Sequence, residues 1–306
     1  MDCMTCPICA GDGAFYRNVT GNINVPLDRS VYELYRCAVC SHVWRTNLLD
    51  KDIYDERYYA YTASRNDLFD SIKLFFARQD NFFGKPIWKG IEGWTRYQNC
   101  PLVKNGRVLD VGGGDGFVLD LYKSVGNKTC NTEILDFVVE ASRKRGHLTY
   151  KSFDLSEITG AKFDLIRMNQ VLEHVRQDPK ILIKNCHRLL RRGGKMIIGI
   201  PNINSLSFLL YGSKFDQLSF PDHIHFFSEI SLKILLKDFE KVTITYPVHK
   251  YTCATNFFHI CAHKFSVFDN KLSSFGLVFL ILSFPISLLE SLFRRTHFIT
   301  CVCVKG

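Results

Sequence analysis

A short glycine-rich loop lies in the middle of the chain, directly after an apolar run. Its residues are Asp110, Val111, Gly112, Gly113, Gly114, Asp115 and Gly116. Glycine lets the backbone turn sharply and approach a ligand without interference from a Cβ atom, and the helical pattern that begins at Phe117 adds amide donors at its start. Glu133 ends the next predicted strand, where a carboxylate can accept both hydroxyls of a ribose. These residue types at this spacing predict a nucleoside-binding loop.

The spacing of the glycines separates several classes of nucleotide site. Glycines at 112, 114 and 116 alternate with other positions, whereas a nicotinamide fingerprint needs a glycine where this chain has Phe117. A phosphate-binding P-loop needs Gly-Lys followed by Ser or Thr, and this loop lacks that sequence. The alternative to a ligand site is a tight structural turn with an unrelated surface glutamate at position 133.

Two Cys-x-x-Cys pairs near the N-terminus have the spacing of a metal site. The pairs are Cys6 with Cys9 and Cys37 with Cys40. Four thiolates from two such pairs match the ligands of a closed tetrahedral zinc site, so we predict a zinc ribbon over residues 1–50. A redox dithiol, which needs one pair only, is the rival interpretation. Cys3 stands before Cys6 with two residues between them, the same spacing as in the other pairs, and it is an alternative ligand.

The charge of the predicted ribbon bears on its partners. Residues 1–50 contain four Arg and no Lys against five acidic residues, whereas a ribbon that binds nucleic acid needs a basic face. The net charge of the whole chain, +9, favours anionic partners in general without choosing among them. We therefore expect a structural zinc module that shapes a substrate cleft, and no nucleic-acid partner.

The elements that must hold the glycine loop alternate between short apolar runs and helical patterns. The sequence predicts strands at 107–111, 131–135, 148–153, 163–168 and 196–200. Two further runs, Lys241–Tyr246 and Thr255–His263, have no helical pattern between them, and they predict an antiparallel pair at the end. This order is typical of an α/β fold with a doubly wound, mostly parallel sheet.

Length and composition indicate one large α/β domain with attachments. The 306 residues are 46% hydrophobic and 23% charged, which excludes disordered, collagen-like and coiled-coil classes. We predict four segments. They are a zinc ribbon at 1–50, an aromatic-rich helical linker or lid at 51–100, the core domain at 101–268 and apolar C-terminal helices at 269–306.

Residues 105–262 resemble class I S-adenosylmethionine-dependent methyltransferases. The resemblance rests on the loop at 108–116, the strand and loop at 164–175 and the helix–strand passage at 188–202. It implies S-adenosylmethionine as cofactor and a Rossmann-like, seven-stranded sheet whose last strand is antiparallel. The implied cofactor residues are Asp110, Gly112, Gly114 and Gly116 in the loop, Glu133 at the ribose, Asp154 and Leu155 at the adenine, and Asn169 and Gln170 near the sulfonium.

Methyl transfer to a hydroxyl or a carbon acid needs alignment of the reacting atoms and removal of a proton. The segment 221–228, which faces the acceptor in related enzymes, carries His223 and His225. Histidine is the usual base because it titrates near neutral pH. We rank His223 and His225 above His174 because their segment faces the acceptor. Alternation along an extended segment sends His223 and His225 to opposite sides, so we expect one to face the cleft and the other to pack.

The ribbon and the segment Ile53–Tyr59 extend the resemblance to bacterial sugar methyltransferases, which implies a saccharide, nucleotide-sugar or lipid-linked glycan acceptor in polysaccharide biosynthesis. A quinone or polyphenol O-methyltransferase at the membrane is the alternative enzyme. Those enzymes hold a divalent cation with Glu-x-x-Glu-His, whereas this chain has Gln170 before Glu173 and His174. A neutral amide is a weaker ligand for a hard cation than a carboxylate, which argues against metal-assisted methylation. A non-catalytic zinc-ribbon module for binding or assembly is the alternative from another class.

An apolar stretch lies near the C-terminus. Leu272–Leu289 contains no charged residue, and Arg294 and Arg295 follow it. Its length is at the lower limit of a membrane span, and Pro285 argues against one. Packing on the core or in a homo-oligomer competes with shallow docking of 272–295 on the inner face of the cell membrane. The first residues lack the basic start and apolar run of a secretory signal, so we expect a cytoplasmic protein with reduced cysteines.

Overall fold

Two β-sheets organise the part of the chain that the computed structural model describes. The described residues are 4–20, 30–46, 99–101, 103–152, 154–249, 251–257, 260 and 283–306. The strands are β1 (Met4–Thr5), β2 (Asp12–Thr20), β3 (Val31–Cys37), β4 (Val43–Arg45), β5 (Arg107–Val111), β6 (Lys128–Glu133), β7 (Leu148–Lys151), β8 (Phe163–Asn169), β9 (Leu190–Pro201), β10 (His225–Phe226), β11 (Lys241–Thr245) and β12 (Phe298–Val304). The helices are α1 (Phe117–Ser124), α2 (Asp136–Lys144), α3 (Pro179–Leu189), α4 (Leu206–Tyr211), α5 (Glu229–Leu235) and α6 (283–292).

The larger sheet has seven strands in the order β11-β12-β9-β8-β5-β6-β7. Strands β5 to β9 pair in parallel, and β12 runs antiparallel to both of its neighbours. The predicted α/β fold, with seven strands and an antiparallel last strand, is therefore confirmed. From β5, the chain adds β6 and β7 on one side of the sheet. It then returns to the other side of β5, where it adds β8 and β9. Ligands of such sheets bind where the winding reverses, at the carboxyl ends of the strands.

Local sequence explains how α3 and β9 form beside this point. The carboxylate of Asp178 accepts a hydrogen bond from Lys180 N at 2.9 Å, and Pro179 occupies the first helical position, as the sequence predicts. The helix buries Leu182, Cys186 and Leu189 against the sheet. The last residues of β9 are continuously buried, as expected for a parallel strand covered on both faces.

The last strand of the sheet is not where the sequence predicts it. Thr255–His263 was expected to be a strand, but residues 253–257 are helical. Thr252 and Thr255 exchange hydrogen bonds, with Thr252 N donating to Thr255 Oγ1 at 2.7 Å and Thr255 N donating to Thr252 Oγ1 at 3.4 Å. These reciprocal bonds start a helical turn, and they outweigh the β preference of the following residues.

Strand β12 instead comes from the segment expected to hold apolar helices only. Phe298–Val304 inserts between β9 and β11, where four of its seven residues in a row are buried. The sheet therefore continues past the predicted core boundary at residue 268. Residues 283–292 of the C-terminal segment form the helix α6, in agreement with the helices predicted there.

The smaller sheet has five strands in the order β1-β2-β3-β4-β10. Its first four strands come from the predicted ribbon, and β10 comes from the segment 221–228 of the core. His225 pairs with Trp44, and Phe226 pairs with Val43. The hydroxyl of Ser228 also donates to the carbonyl of Cys40 at 2.6 Å. The ribbon is thus joined to the core through a shared strand.

Several predicted segments lie outside the described residues. These include Ile53–Tyr59, the rest of the linker or lid up to residue 98, and residues 272–282 of the apolar stretch. In the portion of the chain that is described, no helix combines the length and apolarity needed to cross a membrane.

Candidate active site

The glycine loop turns at the carboxyl end of β5, next to β6 and β8. Gly112 N donates to Thr132 O at 2.9 Å, and Gly114 N donates to Glu133 Oε1 at 2.9 Å. Gly114 has φ +60°, a left-handed conformation that residues with a Cβ adopt at a cost. The loop therefore keeps its shape through bonds to the end of β6, and it needs glycine at this turn.

Glu133 is the carboxylate that the loop surrounds. Its side chain is buried, with 6% of the residue exposed, and Oε2 accepts from Ile134 N at 3.1 Å. Two backbone amides, from Gly114 and Ile134, thus fix both oxygens at the end of β6. Ser152 N donates to Glu133 O at 3.2 Å, so the loop after β7 adjoins the same point. This arrangement suits a carboxylate that accepts hydroxyl groups of a nucleoside.

Asn131 is a loop-supporting residue that sequence reasoning missed. Its Oδ1 accepts from Gly113 N at 3.1 Å, and its Nδ2 donates to Gly114 O at 2.8 Å. Nδ2 also lies 3.0 Å from Ser142 Oγ, to which it donates. A Cβ at Gly113 would overlap the amide of Asn131. A polar residue in the middle of a buried strand was the available signal.

Two residues predicted to bind cofactor have structural roles in the described part of the chain. Both oxygens of the buried Asp110 carboxylate accept from Arg167 Nη1 at 2.9 Å. Burial raises the pKa of Asp110, although the adjacent guanidinium opposes the shift. Gly116 caps α1, and a Cβ there would overlap the ring of His147 and the hydroxyl of Ser142. Asp110 and Gly116 thus support the loop from the protein side, and their contact with a cofactor stays a prediction.

The other predicted cofactor residues lie along the same edge of the sheet. Asp154 follows β7, where its carboxylate accepts from Ser156 N at 3.0 Å, and this bond lowers its pKa. The Leu155 side chain is fully buried in the core, which leaves its backbone as the part that could contact an adenine.

Asn169 ends β8, and its Oδ1 accepts from Asn99 Nδ2 at 2.6 Å. Gln170, with φ +56°, donates from its backbone amide to Gly199 O at 2.8 Å. Asn99 in turn accepts from the hydroxyl of Thr300 in β12 at 2.7 Å. These bonds tie Asn169 and Gln170 to β9 and β12, and their place near a sulfonium stays a prediction.

Of the three candidate bases, His225 is the one held by the protein on both sides. Its Nδ1 lies 3.1 Å from Nε2 of His42, a ribbon residue, and its ring also hydrogen-bonds the backbone of Val175. Burial lowers the pKa of His225 to about 4. These contacts describe a packing histidine, as expected for one member of the pair.

His223 has the geometry of a base with an available lone pair. Its Nδ1 lies 2.8 Å from the carbonyl of Gln217. Since a carbonyl only accepts, Nδ1 carries the proton and Nε2 keeps its lone pair. The ring of His174 packs edge-on against it, with centroids 4.5 Å apart. Burial lowers the pKa of His174 to about 4 and that of His223 well below its ordinary value, so both rings are neutral at physiological pH.

Glu173 completes a cluster that sequence reasoning did not assemble. The residue is fully buried, and neither carboxylate oxygen has a hydrogen-bond partner within the described residues. Burial raises the pKa of Glu173 to about 8. One ligand atom each from Glu173, His174 and His223 lies within 4.8 Å of the other two. Because residues 173 and 223 are far apart in the chain, no local motif signals this set. It could accept a proton or hold a divalent cation.

The four paired cysteines come together as the sequence predicts. Their sulfur atoms all lie within 4.8 Å of one another, with Cys6 Sγ 3.6 Å from Cys40 Sγ and Cys9 Sγ 3.4 Å from Cys37 Sγ. Zinc–sulfur bonds of about 2.3 Å in a tetrahedron separate the sulfurs by about 3.8 Å. Ile8 N donates to Cys6 Sγ, and Cys40 N donates to Cys37 Sγ, each at 3.4 Å.

The thiols differ in how readily they lose a proton, since burial raises the pKa of Cys6 and of Cys40. Burial alone would raise the pKa of the Cys37 thiol, but amide donors of Cys40 and Val39 and its cysteine neighbours lower it to about 7. Since zinc binds the thiolate form, one ligand of the set is ready to lose its proton near neutral pH. The donor set and its spacing fit zinc.

Comparison with known proteins places the core in a family. Residues 91–240, slightly less than half of the chain, match the family model of a methyltransferase domain. A ubiquinone biosynthesis O-methyltransferase of Coxiella burnetii is 28% identical over 114 residues, which are 35% of this chain and 48% of that protein. A protein of the same name from Idiomarina loihiensis is 29% identical over 112 residues, or 34% of this chain and 46% of that protein. The chain thus spans about half the length of the curated relatives it matches.

A solved structure agrees on the fold. A SAM-dependent methyltransferase from Archaeoglobus fulgidus matches with a TM-score of 0.50 at 19% sequence identity, covering 82% of this chain and 100% of that one. The likeness concerns the fold alone. Residues 91–240 thus match a methyltransferase domain by sequence, and the seven-stranded sheet with its antiparallel strand has the fold of class I methyltransferases.

Proposed function

We propose that the protein transfers a methyl group from S-adenosylmethionine to a hydroxyl of a saccharide, nucleotide sugar or lipid-linked glycan precursor. The observation that carries the methyl-transfer part is the glycine loop folded around the buried carboxylate of Glu133. The acceptor class rests on the resemblance of the ribbon and core to bacterial sugar methyltransferases. When bound, the cofactor supplies a methyl group on a positively charged sulfur.

The residues present fit such a cofactor. Gly114 turns at φ +60° without the strain that a Cβ would add, and the Glu133 carboxylate, a group that accepts hydroxyl donors, is held at the end of β6 by two backbone amides. Asn169 and Gln170 lie at the carboxyl end of the neighbouring strand β8, where the reacting end of the cofactor is expected. The loop would bind and orient the cofactor mainly with backbone groups.

His223 is the residue we assign to proton removal. Nδ1 is tied to the carbonyl of Gln217, so Nε2 is the atom that would accept the proton of an acceptor hydroxyl. Glu173, whose pKa is about 8, lies beside it and can stabilise a protonated imidazole once this carboxyl is ionised. Glu173 and His223 are buried and His174 is partly buried, which limits the access of water to the cluster and strengthens the interactions within it.

The ribbon has a positioning role in this proposal. Zinc held by Cys6, Cys9, Cys37 and Cys40 would fix the turn that leads into His42. From there, the pairing of β4 with β10 and the contact of His42 with His225 reach the segment that carries His223. The ribbon would therefore hold one wall of the acceptor cleft.

A methyl-transfer assay tests the proposal. The full chain is incubated with radiolabelled S-adenosylmethionine and a panel of nucleotide sugars, lipid-linked saccharides and polyphenols. We expect labelled saccharide product, and a fall in kcat of about 100-fold in His223→Gln with little change in cofactor affinity. The matched control is His187→Gln on α3, outside the cluster. Product with none of the saccharides would contradict the acceptor class, and unchanged turnover in His223→Gln would contradict the assigned base.

A second candidate is O-methylation of a quinone or polyphenol with a divalent cation. The specific observation in its favour is the cluster of Glu173, His174 and His223, which offers a carboxylate and two neutral imidazoles where Gln170 is a poor ligand. Relatives named ubiquinone biosynthesis O-methyltransferase point the same way. Turnover of a catechol that is abolished by a chelator and restored by Mg²⁺ or Zn²⁺ would favour this candidate over the first.

A further inference from the structure

Helix α6 has its polar and apolar faces inverted relative to an ordinary surface helix. Ser283, Ser287 and Glu290 face the protein and are at most 2% exposed. These residues recur at intervals of three and four, which places them on one side of the helix. A surface helix normally buries its apolar stripe and exposes its polar one.

Hydrogen bonds join the buried polar face to the rest of the protein, although Glu290 Oε2 has no partner among the described residues. Ser287 Oγ accepts from His249 N at 2.7 Å, and Glu290 Oε1 accepts from Cys253 N at 2.8 Å. Ser291 Oγ lies 2.5 Å from Tyr246 O, to which it donates. These bonds fix the rotation of the helix about its axis, so its outward face is defined by the fold.

The outward face is strongly apolar. Leu288, Leu289, Leu292 and Phe293 expose 53% to 74% of their surfaces. With 3.6 residues per turn, these positions cover one broad side of the helix. Isolated exposed hydrophobic residues are common, but a contiguous set marks an interaction surface. We call this set, together with the exposed Leu209 and Leu210 of α4, the apolar face.

Helix α4 adjoins the end of α6 and extends the apolar face. Leu206 N, at the start of α4, donates to Arg295 O at 2.8 Å. Arg294 and Arg295 follow α6 directly, and the Arg294 side chain is 71% exposed. The apolar face is thus bordered by two cations on a chain whose net charge is +9.

We propose that the apolar face docks the protein on the surface of an anionic lipid membrane. Leucine and phenylalanine side chains would enter the boundary between headgroups and acyl chains, while the arginines contact lipid phosphates. The pairing of an apolar face with a cationic border favours lipid over a second copy of this chain, whose face would carry the same positive charges. Docking does not depend on the methyl donor, so its test is independent of the proposed function.

Vesicle binding of the full chain tests this docking. The protein is sedimented with vesicles of phosphatidylcholine containing about one-third phosphatidylglycerol, and with vesicles of phosphatidylcholine alone. We expect binding that requires phosphatidylglycerol and weakens with salt. Binding should fall at least tenfold in Leu288→Asp/Leu292→Asp and several-fold in Arg294→Glu/Arg295→Glu.

A matched control separates docking from general loss of hydrophobic surface. Leu148 and Ile181 are exposed by 58% and 48%, and Leu148 lies on β7, at the opposite edge of the large sheet from β11. Leu148→Asp/Ile181→Asp should bind vesicles like the wild type, and thermal melting establishes that each variant folds. Absent vesicle binding by the wild type would overturn the proposal, as would equal loss in the two leucine-containing variants. A dimer that Leu288→Asp/Leu292→Asp dissociates, without vesicle binding, would assign the apolar face to a second copy instead.

Discussion

The proposed cofactor end and the proposed acceptor end of this protein are built in different ways. At the cofactor end, the loop at 110–116 is held by two residues of the adjacent strand, Asn131 and Glu133. At the acceptor end, a cluster is assembled from residue 173 and residue 223, and the ribbon supports it from residue 42. The cofactor end is formed by a short stretch of the chain and its backbone conformation. The acceptor end requires three segments that lie far apart in the chain. We therefore expect damage to the ribbon to reduce methyl transfer while cofactor binding changes little.

The largest effect is expected from loss of the predicted zinc. Cys37→Ser/Cys40→Ser removes two of four ligands, and structural zinc sites contribute about 10 kcal/mol or more to folding. We expect one zinc per wild-type chain and none in the variant by atomic absorption. Turnover should fall at least 100-fold, while affinity for S-adenosylhomocysteine changes less than about threefold.

Cys130→Ser and Cys186→Ser are suitable controls for general loss of thiols, since both cysteines are buried outside the ribbon. Full turnover by a variant without zinc would contradict the proposal that the ribbon supports the acceptor end. Equal loss of cofactor affinity and turnover would show that the ends are not separable.

A smaller effect is expected from the ionisation of Glu173. Burial raises the pKa of this carboxyl from 4.5 to about 8 in the folded protein. The folded state therefore binds an extra proton between these values, and its stability falls as pH rises through the window. His174 shifts in the opposite direction and acts below pH 6.5. Cys37, with a pKa of about 7, also titrates between pH 6.5 and 8, so the difference between wild type and Glu173→Gln isolates Glu173.

Chemical denaturation at several pH values measures this dependence. Between pH 6.5 and 8, metal-free wild type should lose on the order of 1–2 kcal/mol of stability, and Glu173→Gln should lose much less. A divalent cation that binds the cluster would hold Glu173 ionised and remove the slope. An identical slope in the variant would mean that another group titrates.

Glu133→Gln should have the mildest effect of these three variants. The substitution keeps the size of the side chain but replaces one oxygen that accepts from a backbone amide with an NH2 group that cannot accept, and it removes the charge that strengthens bonds to hydroxyls. We expect a cost of about 1.4 kcal/mol, or tenfold in cofactor affinity. Calorimetry with S-adenosylhomocysteine measures it. The control is Glu157→Gln, an exposed glutamate in the loop after β7. Unchanged affinity in Glu133→Gln would remove this carboxylate from the cofactor site.

The sequence predicted what depends on local pattern. The alternation of strands and helices predicted a doubly wound sheet with a reversed strand, and the family resemblance implied its seven strands. Asp178 and Pro179 predicted the start of α3. The cysteine spacing predicted four sulfurs that the structure brings together. In each case the determining residues are neighbours in the chain or belong to a short repeated motif.

What the sequence did not predict depends on distant contacts. Thr252 and Thr255 start a helical turn in a segment of strand-forming residues, so the last strand came from Phe298–Val304 instead. The pairing of β10 with the ribbon and the cluster around Glu173 likewise join segments far apart in the chain. Periodicity and spacing carry no information about such pairs.

The most direct test of the central claim is calorimetric titration of the full chain with S-adenosylhomocysteine, using two glycine variants. Gly114 and Gly160 both have positive φ, at +60° and +68°, and a Cβ at Gly160 has no atom within 4 Å among the described residues. Gly114→Val and Gly160→Val therefore introduce comparable backbone strain, but only the first lies in the loop. The account predicts one site per chain in the wild type and in Gly160→Val, and at least 100-fold weaker binding in Gly114→Val. Absence of binding by folded wild type, or equal binding by both variants, would contradict it.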